Sequence, residues 1–558
     1  MAFDDILLTL GEFGTYQKIT YALVFLFWFP AAANVLAVVF LAGPADHWCR
    51  VPEWDDANCS GMGLDESDCA YYKKHLSIPH TVADDDTILY DQCRKYDVSQ
   101  VSFADAMTYF KEGTNQSENI YDVINCDQGW MHDMALSTYT FIQTFDLVCD
   151  RKYLVNLSQS IFFVGVFIGS VILGAIADRY GRKITLIISN IIVVLFGVCA
   201  AFSPNYITLV TLRALSAVGC FGMLLISTVI GTEFVGPSKR AFVGIFISVS
   251  FSLGYLLLTI YAYFIRNWRY LLLSLNLTFA LFFFFYPFIP ESVRWQISKG
   301  RYKEAEATIR KVARINKVNL PDAFFHKHDF YNSGEKQAEK ERDPTLLDLF
   351  RTPVLRKRTL VLIVIWLTNN LIFYGLHLST GSFGVNIYLS FVISGVVEIV
   401  SVCLCIPAIE WIGRLKSIIA CFVIAGVASF IAIFVPTGVA KTTIGMIGKF
   451  GIAGSWAIGG IIVLEVLPTP TRSVGIGICS TASRIIAVAT PLLLILYDVW
   501  APGPLVLQTI AALITAGLCF ILPETRGKKL PETLEDGETF GIKTQNEKEL
   551  YSMQSAPL

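Results

Sequence analysis

The sequence predicts an all-α membrane protein whose twelve transmembrane helices form two related six-helix halves, with one large cysteine-bearing loop. Three observations predict it. The 558 residues have a mean hydropathy of +0.54, with 54% apolar and 16% charged residues, far more apolar than a soluble domain. Twelve apolar stretches approach the roughly 20 residues a helix needs to cross about 30 Å of hydrocarbon with its backbone satisfied internally. The segment Asp178-Arg179-Tyr180-Gly181-Arg182-Lys183 returns as Glu410-Trp411-Ile412-Gly413-Arg414-Leu415-Lys416, at an offset of 410 − 178 = 232. Glu233 and Arg240 return as Glu465 and Arg472 at the same offset, and Pro290-Glu291-Ser292 returns 233 residues on as Pro523-Glu524-Thr525. Echoes at an offset of 232 to 233 point to a duplicated half.

Residues 1–18 are polar and acidic, and the apolar run after them has neither a basic flank nor a small-residue cleavage site. It reads as a retained first span and not as a signal peptide. The N-terminal half, residues 19–289, takes spans over Ile19–Leu41, Tyr153–Ile176, Ile184–Phe202, Tyr206–Ile230, Ala241–Phe264 and Tyr270–Ile289, with the loop 42–150 after the first. Residues 290–358 form a charged linker, and Lys303-Glu304-Ala305-Glu306-Ala307 up to Ile315 has the pattern of short amphipathic helices. The C-terminal half, residues 359–522, takes spans over Thr359–Leu378, Ile387–Ile409, Ser417–Val435, Thr442–Leu464, Ser473–Leu496 and Leu505–Leu522. Residues 523–558 form a charged tail with too little apolar surface to pack. Lys and Arg of short loops stay cytoplasmic, and Arg179, Arg182, Lys183, Lys239, Arg240, Arg414, Lys416 and Arg472 fall on the side of the basic linker. Both termini are therefore expected in the cytoplasm and the loop 42–150 outside.

That loop holds Cys49, Cys59, Cys69, Cys93, Cys126 and Cys149, while every other cysteine lies in an expected span. An even set in an oxidising compartment implies up to three disulfides, with about fifteen pairings open. Asn58 and Asn115 match the glycosylation acceptor pattern in the same loop. A net charge of −2 gives no field for nucleic acid. Cys403-Leu404-Cys405 has no accompanying histidine or cysteine cluster, so no metal is expected. Phosphate-binding, nucleophile and dinucleotide motifs are missing from their required contexts, so neither an enzyme nor a cofactor is expected.

The remaining signals are charges and amides inside spans, where each costs about 2.5–3.5 kcal/mol on insertion scales unless it faces the bundle interior or water. Arg213 lies in the fourth span, Glu398 in the eighth, Lys449 in the tenth and Arg484 in the eleventh. Arg484 comes eleven residues after Ser473, about 17 Å deep at about 1.5 Å per residue, close to the midplane. Arg213 reads equally as part of a polar pathway or as a packing arginine bonded to backbone carbonyls. A locking ion pair of Glu398 with Lys449 or Arg484 is the structural alternative to a substrate or gating role. In the seventh span, Trp366-Leu367-Thr368-Asn369-Asn370-Leu371-Ile372-Phe373-Tyr374 sets two amides beside aromatic rings. The amides need partners in a cavity or a neighbouring helix, and the rings can face organic cations.

With two related six-span halves and charged loops after spans 2 and 8, the chain resembles the major facilitator superfamily. Within it, the chain is similar to the organic ion transporters, solute carrier family 22. The residues that carry the resemblance are Gly11 to Gln17, the cysteine loop, Asp178 to Lys183, Glu233 to Arg240, Pro290 to Trp295, Glu465 to Arg472 and Pro523 to Gly527. Ser480-Thr481-Ala482-Ser483-Arg484 looks like the carnitine and zwitterion branch. The anion transporters also carry arginine at the last position, and vertebrate cation transporters carry aspartate. Glu398 matches an acidic position of cation and carnitine carriers, and Val402 stands where anion transporters place lysine. Phe383 to Tyr388 is nevertheless similar to the anion branch, and Arg414-Leu415 departs from the family's usual double arginine.

The resemblance implies a plasma-membrane carrier of small organic ions, embedded in the lipid bilayer and working by alternating access. Organic cations or carnitine-type zwitterions are the favoured substrates and organic anions the alternative. A transport-dead receptor that binds through its disulfide-bonded loop is the reading from another class. Arg484 would hold an anionic group. Glu398, Trp366, Phe373, Tyr374 and Asn370 would receive a cationic one, with Arg213 and Lys449 as further midplane charges. Asp178, Arg179, Arg182, Glu233, Arg240, Glu410, Arg414, Glu465 and Arg472 would form the cytoplasmic gate.

Overall fold

The computed structural model describes residues 3–541 apart from 44–45, 58, 60–61, 63, 83–87, 112–120, 133–137, 321–346, 383, 529 and 532. Asn58, Asn115 and much of the linker thus lie outside the described residues. The chain divides into two compact units, one of residues 1–39, 156–265 and 269–558 and the other of residues 40–155 and 266–268.

The first unit is a helical bundle. Span 1 (Thr15–Leu41) is followed by span 2 (Tyr153–Tyr180), span 3 (Arg182–Ala201), span 4 (Tyr206–Glu233), span 5 (Arg240–Phe264) and span 6 (Trp268–Phe284). The second half supplies span 7 (Pro353–Leu378), span 8 (Ile387–Trp411), span 9 (Arg414–Phe434), span 10 (Val439–Val466), span 11 (Arg472–Leu493) and span 12 (Gly503–Cys519). Ten of these regions are long and apolar enough to cross a membrane, and spans 6 and 12 are shorter apolar helices. Expected to reach Ile289, span 6 instead tightens into 3-10 turns at Leu281–Phe284 and Tyr286–Phe288, because Pro287 cannot donate the next helical hydrogen bond. Span 1 breaks between Leu26 and Trp28, where Pro30 withdraws the bond to the carbonyl four residues earlier.

The halves repeat one packing scheme. Span 3 lies against span 4 and span 1 against span 5, while six helices later span 9 lies against span 10 and span 7 against span 11. Spans 5 and 8 join one half to the other. Small residues permit the closest crossings: a Cβ on Gly169 would lie 2.4 Å from the Val218 carbonyl oxygen, and one on Gly451 would lie 2.6 Å from that of Cys421. Such approach replaces the hydrophobic drive that lipid cannot supply.

The second unit carries three two-stranded antiparallel sheets, β1 (His47–Cys49) with β6 (Trp130–His132), β2 (His80–Val82) with β3 (Ile88–Tyr90), and β4 (Arg94–Tyr96) with β5 (Val123–Asn125). The six cysteines form three disulfides, Cys49–Cys126, Cys59–Cys69 and Cys93–Cys149. A small core packs Trp54, Tyr96, Val98, Phe103 and Met107 together. Lys95, 3% exposed, pairs with Asp127 at 2.7 Å. So little apolar core depends on cross-links to stay folded.

Candidate functional site

Two clusters stand out in the bundle. The first sits at mid-depth of the spans. Glu398 comes eleven residues after Ile387 (398 − 387 = 11) in a buried position, whereas Asp178, Glu233, Glu410 and Glu465 stand in the last turns of their helices. Neither Lys449 nor Arg484 forms the locking ion pair with Glu398 that was the structural alternative, among the described residues. The Glu398 Oε2 faces His377 Nε2 of span 7 instead, at 3.7 Å. Lys449 Nζ donates to Thr380 Oγ1 at 2.6 Å and to Ser394 Oγ at 2.9 Å, and it is close enough for its charge to act on Glu398. Arg484 donates to Ser480 Oγ one turn earlier, and its guanidinium lies 4.3 Å from the Phe221 ring centroid. Among the described residues no carboxylate pairs with it.

Aromatic rings from both halves meet around these charges. Phe163 of span 2 lies 4.6 Å from Tyr374, Phe251 of span 5 lies 6.0 Å from Phe373, and Tyr255 of span 5 lies 5.0 Å from His377. Trp456 of span 10 lies 5.9 Å from Phe373 and 5.7 Å from Trp366, and the Trp366 Nε1 has no hydrogen-bond acceptor. Asn369 is bound into span 10, accepting from Ser455 Oγ and donating to the Ser455 carbonyl at 3.4 Å. Asn370 donates its Nδ2 hydrogen to the Trp366 carbonyl of its own helix at 3.2 Å. Arg213 is 2% exposed, 3.5 Å from Gln159 Oε1 and 5.3 Å from the Phe162 ring. It binds a side-chain amide and a ring, and not the backbone carbonyls its packing alternative foresaw.

The second cluster is doubled. Gly181 at φ 111° and Gly413 at φ 105° turn the chain between spans 2 and 3 and between spans 8 and 9, in a region only glycine adopts readily. Glu291 accepts the backbone N–H groups of Arg182 at 2.8 Å and Lys183 at 3.2 Å. Glu524 likewise accepts those of Arg414 at 3.0 Å and Leu415 at 3.1 Å. Each carboxylate satisfies orphan donors at a helix N-terminus. The Arg182 side chain lies 3.3 Å from both Asp178 and Glu233, and Arg414 lies 3.3 Å from Glu465. Arg182 also donates to the Ala177 carbonyl at 3.0 Å, and Arg414 to that of Ile409 at 3.1 Å.

The other expected gate residues show different surroundings. Arg179 is exposed and lies over Tyr180 at 5.4 Å. Glu410 is exposed, with no ion pair among the described residues. Arg240 donates to the Val235 carbonyl at 3.2 Å, and Arg472 opens span 11 with Nε unpartnered.

Sequence reasoning missed His377, Tyr255, Phe221 and Trp456 at mid-depth, and Glu291 and Glu524 at the turns. The two glutamates were visible as the repeated Pro-Glu-Ser/Thr, and His377 as a polar ring between Leu376 and Leu378. A groove of about 420 Å³ between spans 5 and 8, lined by Tyr263, Phe264, Tyr388 and Leu389 among others, carries no charged side chain. It is separate from this chemistry.

Residues 95–536 match the family described as sugar (and other) transporter. An organic cation transporter-like protein of Drosophila melanogaster is 33% identical over 576 residues, covering 100% of this chain and 97% of the relative. Human solute carrier family 22 member 2 is 33% identical over 556 residues, covering 99% of this chain and 98% of the relative. Among solved structures, the partially occluded inward-open xylose transporter XylE from E. coli matches with a TM-score of 0.56 at 18% identity, over 68% of this chain and 90% of that one. The human organic anion transporter MFSD10 matches with a TM-score of 0.53 at 14% identity, over 90% of this chain and 99% of that one.

Proposed function

The chain belongs to the organic ion transporters of solute carrier family 22, in the major facilitator superfamily, and from that premise we propose that it carries organic cations or carnitine-type zwitterions across the plasma membrane. The observation that carries this reading is one buried acid and one unpaired base at mid-depth, Glu398 and Arg484, with rings from both halves between and around them. Arg484 presents a planar fork suited to a carboxylate. Glu398 and the faces of Phe373, Tyr374 and Trp366 suit an ammonium group. Asn370, Arg213 and Lys449 act at one remove, by fixing helices and balancing charge. Relatives named for organic cations support the cationic half of this assignment.

Substrate would enter where Phe163 meets Tyr374 and Arg484 meets Phe221, and rocking of the halves would open these contacts to one side and then the other. The two glycine turns, with Arg182, Asp178, Glu233 and Glu291 in one half and Arg414, Glu465 and Glu524 in the other, would serve as cytoplasmic latches that keep each helix pair rigid while the halves move. On this reading both termini would lie in the cytoplasm and the cysteine-rich unit outside.

A specific observation favours organic anions as the second reading. Glu398 is already faced by His377 and Lys449, whereas no carboxylate among the described residues pairs with Arg484. Uptake of labelled carnitine, tetraethylammonium and an aromatic carboxylate, measured side by side in wild type, E398Q and R484A, separates the two. Carnitine or cation uptake that falls in E398Q supports the proposed assignment. Aromatic-anion uptake alone, lost in R484A and indifferent to E398Q, replaces it with the second.

A further inference from the structure

His377 is a buried titratable group that the substrate site does not use. Its Nδ1 lies 2.7 Å from the Phe373 carbonyl oxygen. A carbonyl oxygen only accepts, so Nδ1 carries hydrogen. In neutral imidazole Nε2 is then a bare lone pair, and it faces the Glu398 Oε2, a second acceptor, at 3.7 Å. Neither atom has another hydrogen-bond partner, and the two residues are 2% and 5% exposed. Two acceptors buried face to face repel, whereas a proton between them makes a charge-assisted pair.

We propose that His377 and Glu398 form a proton-binding site, and that the proton and the cationic group of the substrate compete for the Glu398 carboxylate, so that an organic cation enters in exchange for a proton. The proposal rests on the reading that Glu398 receives the cation. With the proton bound, imidazolium fills the position beside the carboxylate. An arriving quaternary ammonium takes that position, neutral His377 is left with its Nδ1 hydrogen, and the Nε2 proton leaves to the side that is open. One positive charge replaces another.

The surrounding groups suit the exchange. Lys449 from span 10 is anchored on Thr380 and Ser394, close enough to Glu398 for the two charges to interact. Tyr255 from span 5 lies against the imidazole and also stands close to the Glu398 carboxylate, without a hydrogen bond from its hydroxyl. On span 7, Tyr374 precedes it by one turn, with Arg484 of span 11 beyond that tyrosine. Span 12, also packed on span 7, has no charged residue and only Cys519, at its last position, as a titratable one. The pair thereby links spans 7 and 8 of one half to span 5 of the other.

Binding of tetraethylammonium, which carries no proton of its own, to the purified full chain tests this, with a pH indicator recording protons released. Wild type is expected to bind about tenfold more weakly near pH 6 than near pH 8, and to release protons on binding at the lower pH. H377Q is expected to bind with the same affinity at both pH values and to release none. Thermal midpoints confirm that the variants fold, and proton release by wild type needs no variant at all. Binding that E398Q abolishes but pH leaves unchanged, with no proton released, overturns the exchange and leaves the Glu398 assignment standing. Binding that survives E398Q, or no binding at either pH, overturns both.

Discussion

Arg484 carries a charge at mid-depth beside Ser480, Phe221 and Tyr374, with no carboxylate partner among the described residues, so its energetics depend on what a substrate brings. A hydrogen bond to a charged partner contributes about 1.5–3 kcal/mol, so R484A should lower kcat/KM for a zwitterion by about 10- to 100-fold. For a permanent cation it should cost about threefold or less, since no carboxylate is there to hold. Initial-rate uptake of both compounds measures the contrast, and E398Q should lower uptake of both. Arg484 and Glu398 were legible because a charge inside an apolar run is costly and demands a reason. Tyr255, Phe221 and Trp456 were not. A ring in an apolar helix is ordinary packing until the partner helix is known, and nothing in the local sequence shows which rings cross from one half to the other. His377 could have been found by asking why a ring nitrogen should be placed among leucines.

At the level of elements, the turns after spans 2 and 8 are one device used twice. A Cβ on Gly181 would lie 2.5 Å from Glu291 Oε2, and one on Gly413 would lie 2.6 Å from Glu524 Oε2. Their positive φ adds strain, about 1–3 kcal/mol for a residue with a side chain. G181A and G413A should each lower the thermal midpoint of the purified protein and cut uptake, whereas E410Q should leave uptake within about twofold, as expected of an exposed charge. The repeat was readable from the 232-residue offset. That Glu291 and Glu524 close each turn was not, because they lie more than a hundred residues from the N–H groups they accept. In the cysteine-rich unit, burial, with the His80 ring beside it at 4.0 Å, holds the His75 pKa below the usual histidine value. The unfolded chain therefore takes up that proton first. Stability is complete above about pH 6.5 and is lost as pH falls through the folded pKa. Hydrogen exchange in the helix Glu66–Ser77 should rise as the medium is acidified below about pH 6.5, and H75Q should flatten the response.

For the whole molecule, six-helix halves with the same internal pairing and opposed rings at their junction make a body that can rock about one central site. The apolar runs and the duplicated charged loops disclosed this architecture, since both are written in short stretches of sequence. Helix ends were less legible where prolines such as Pro287 and Pro30 cut the helix inside an unbroken apolar run. The charge class of the cargo was least legible, because it depends on how Glu398, Lys449, His377 and Arg484 partition among themselves across four helices. Exchange across a membrane tests the central claim most directly. Proteoliposomes holding the purified chain, preloaded with unlabelled tetraethylammonium or carnitine, would be given the labelled compound outside. The account predicts saturable entry that is faster with the preload than without it, and reduced in E398Q. Binding to the protein without any preload-dependent entry of either compound would contradict it, and would leave a receptor where a carrier is claimed.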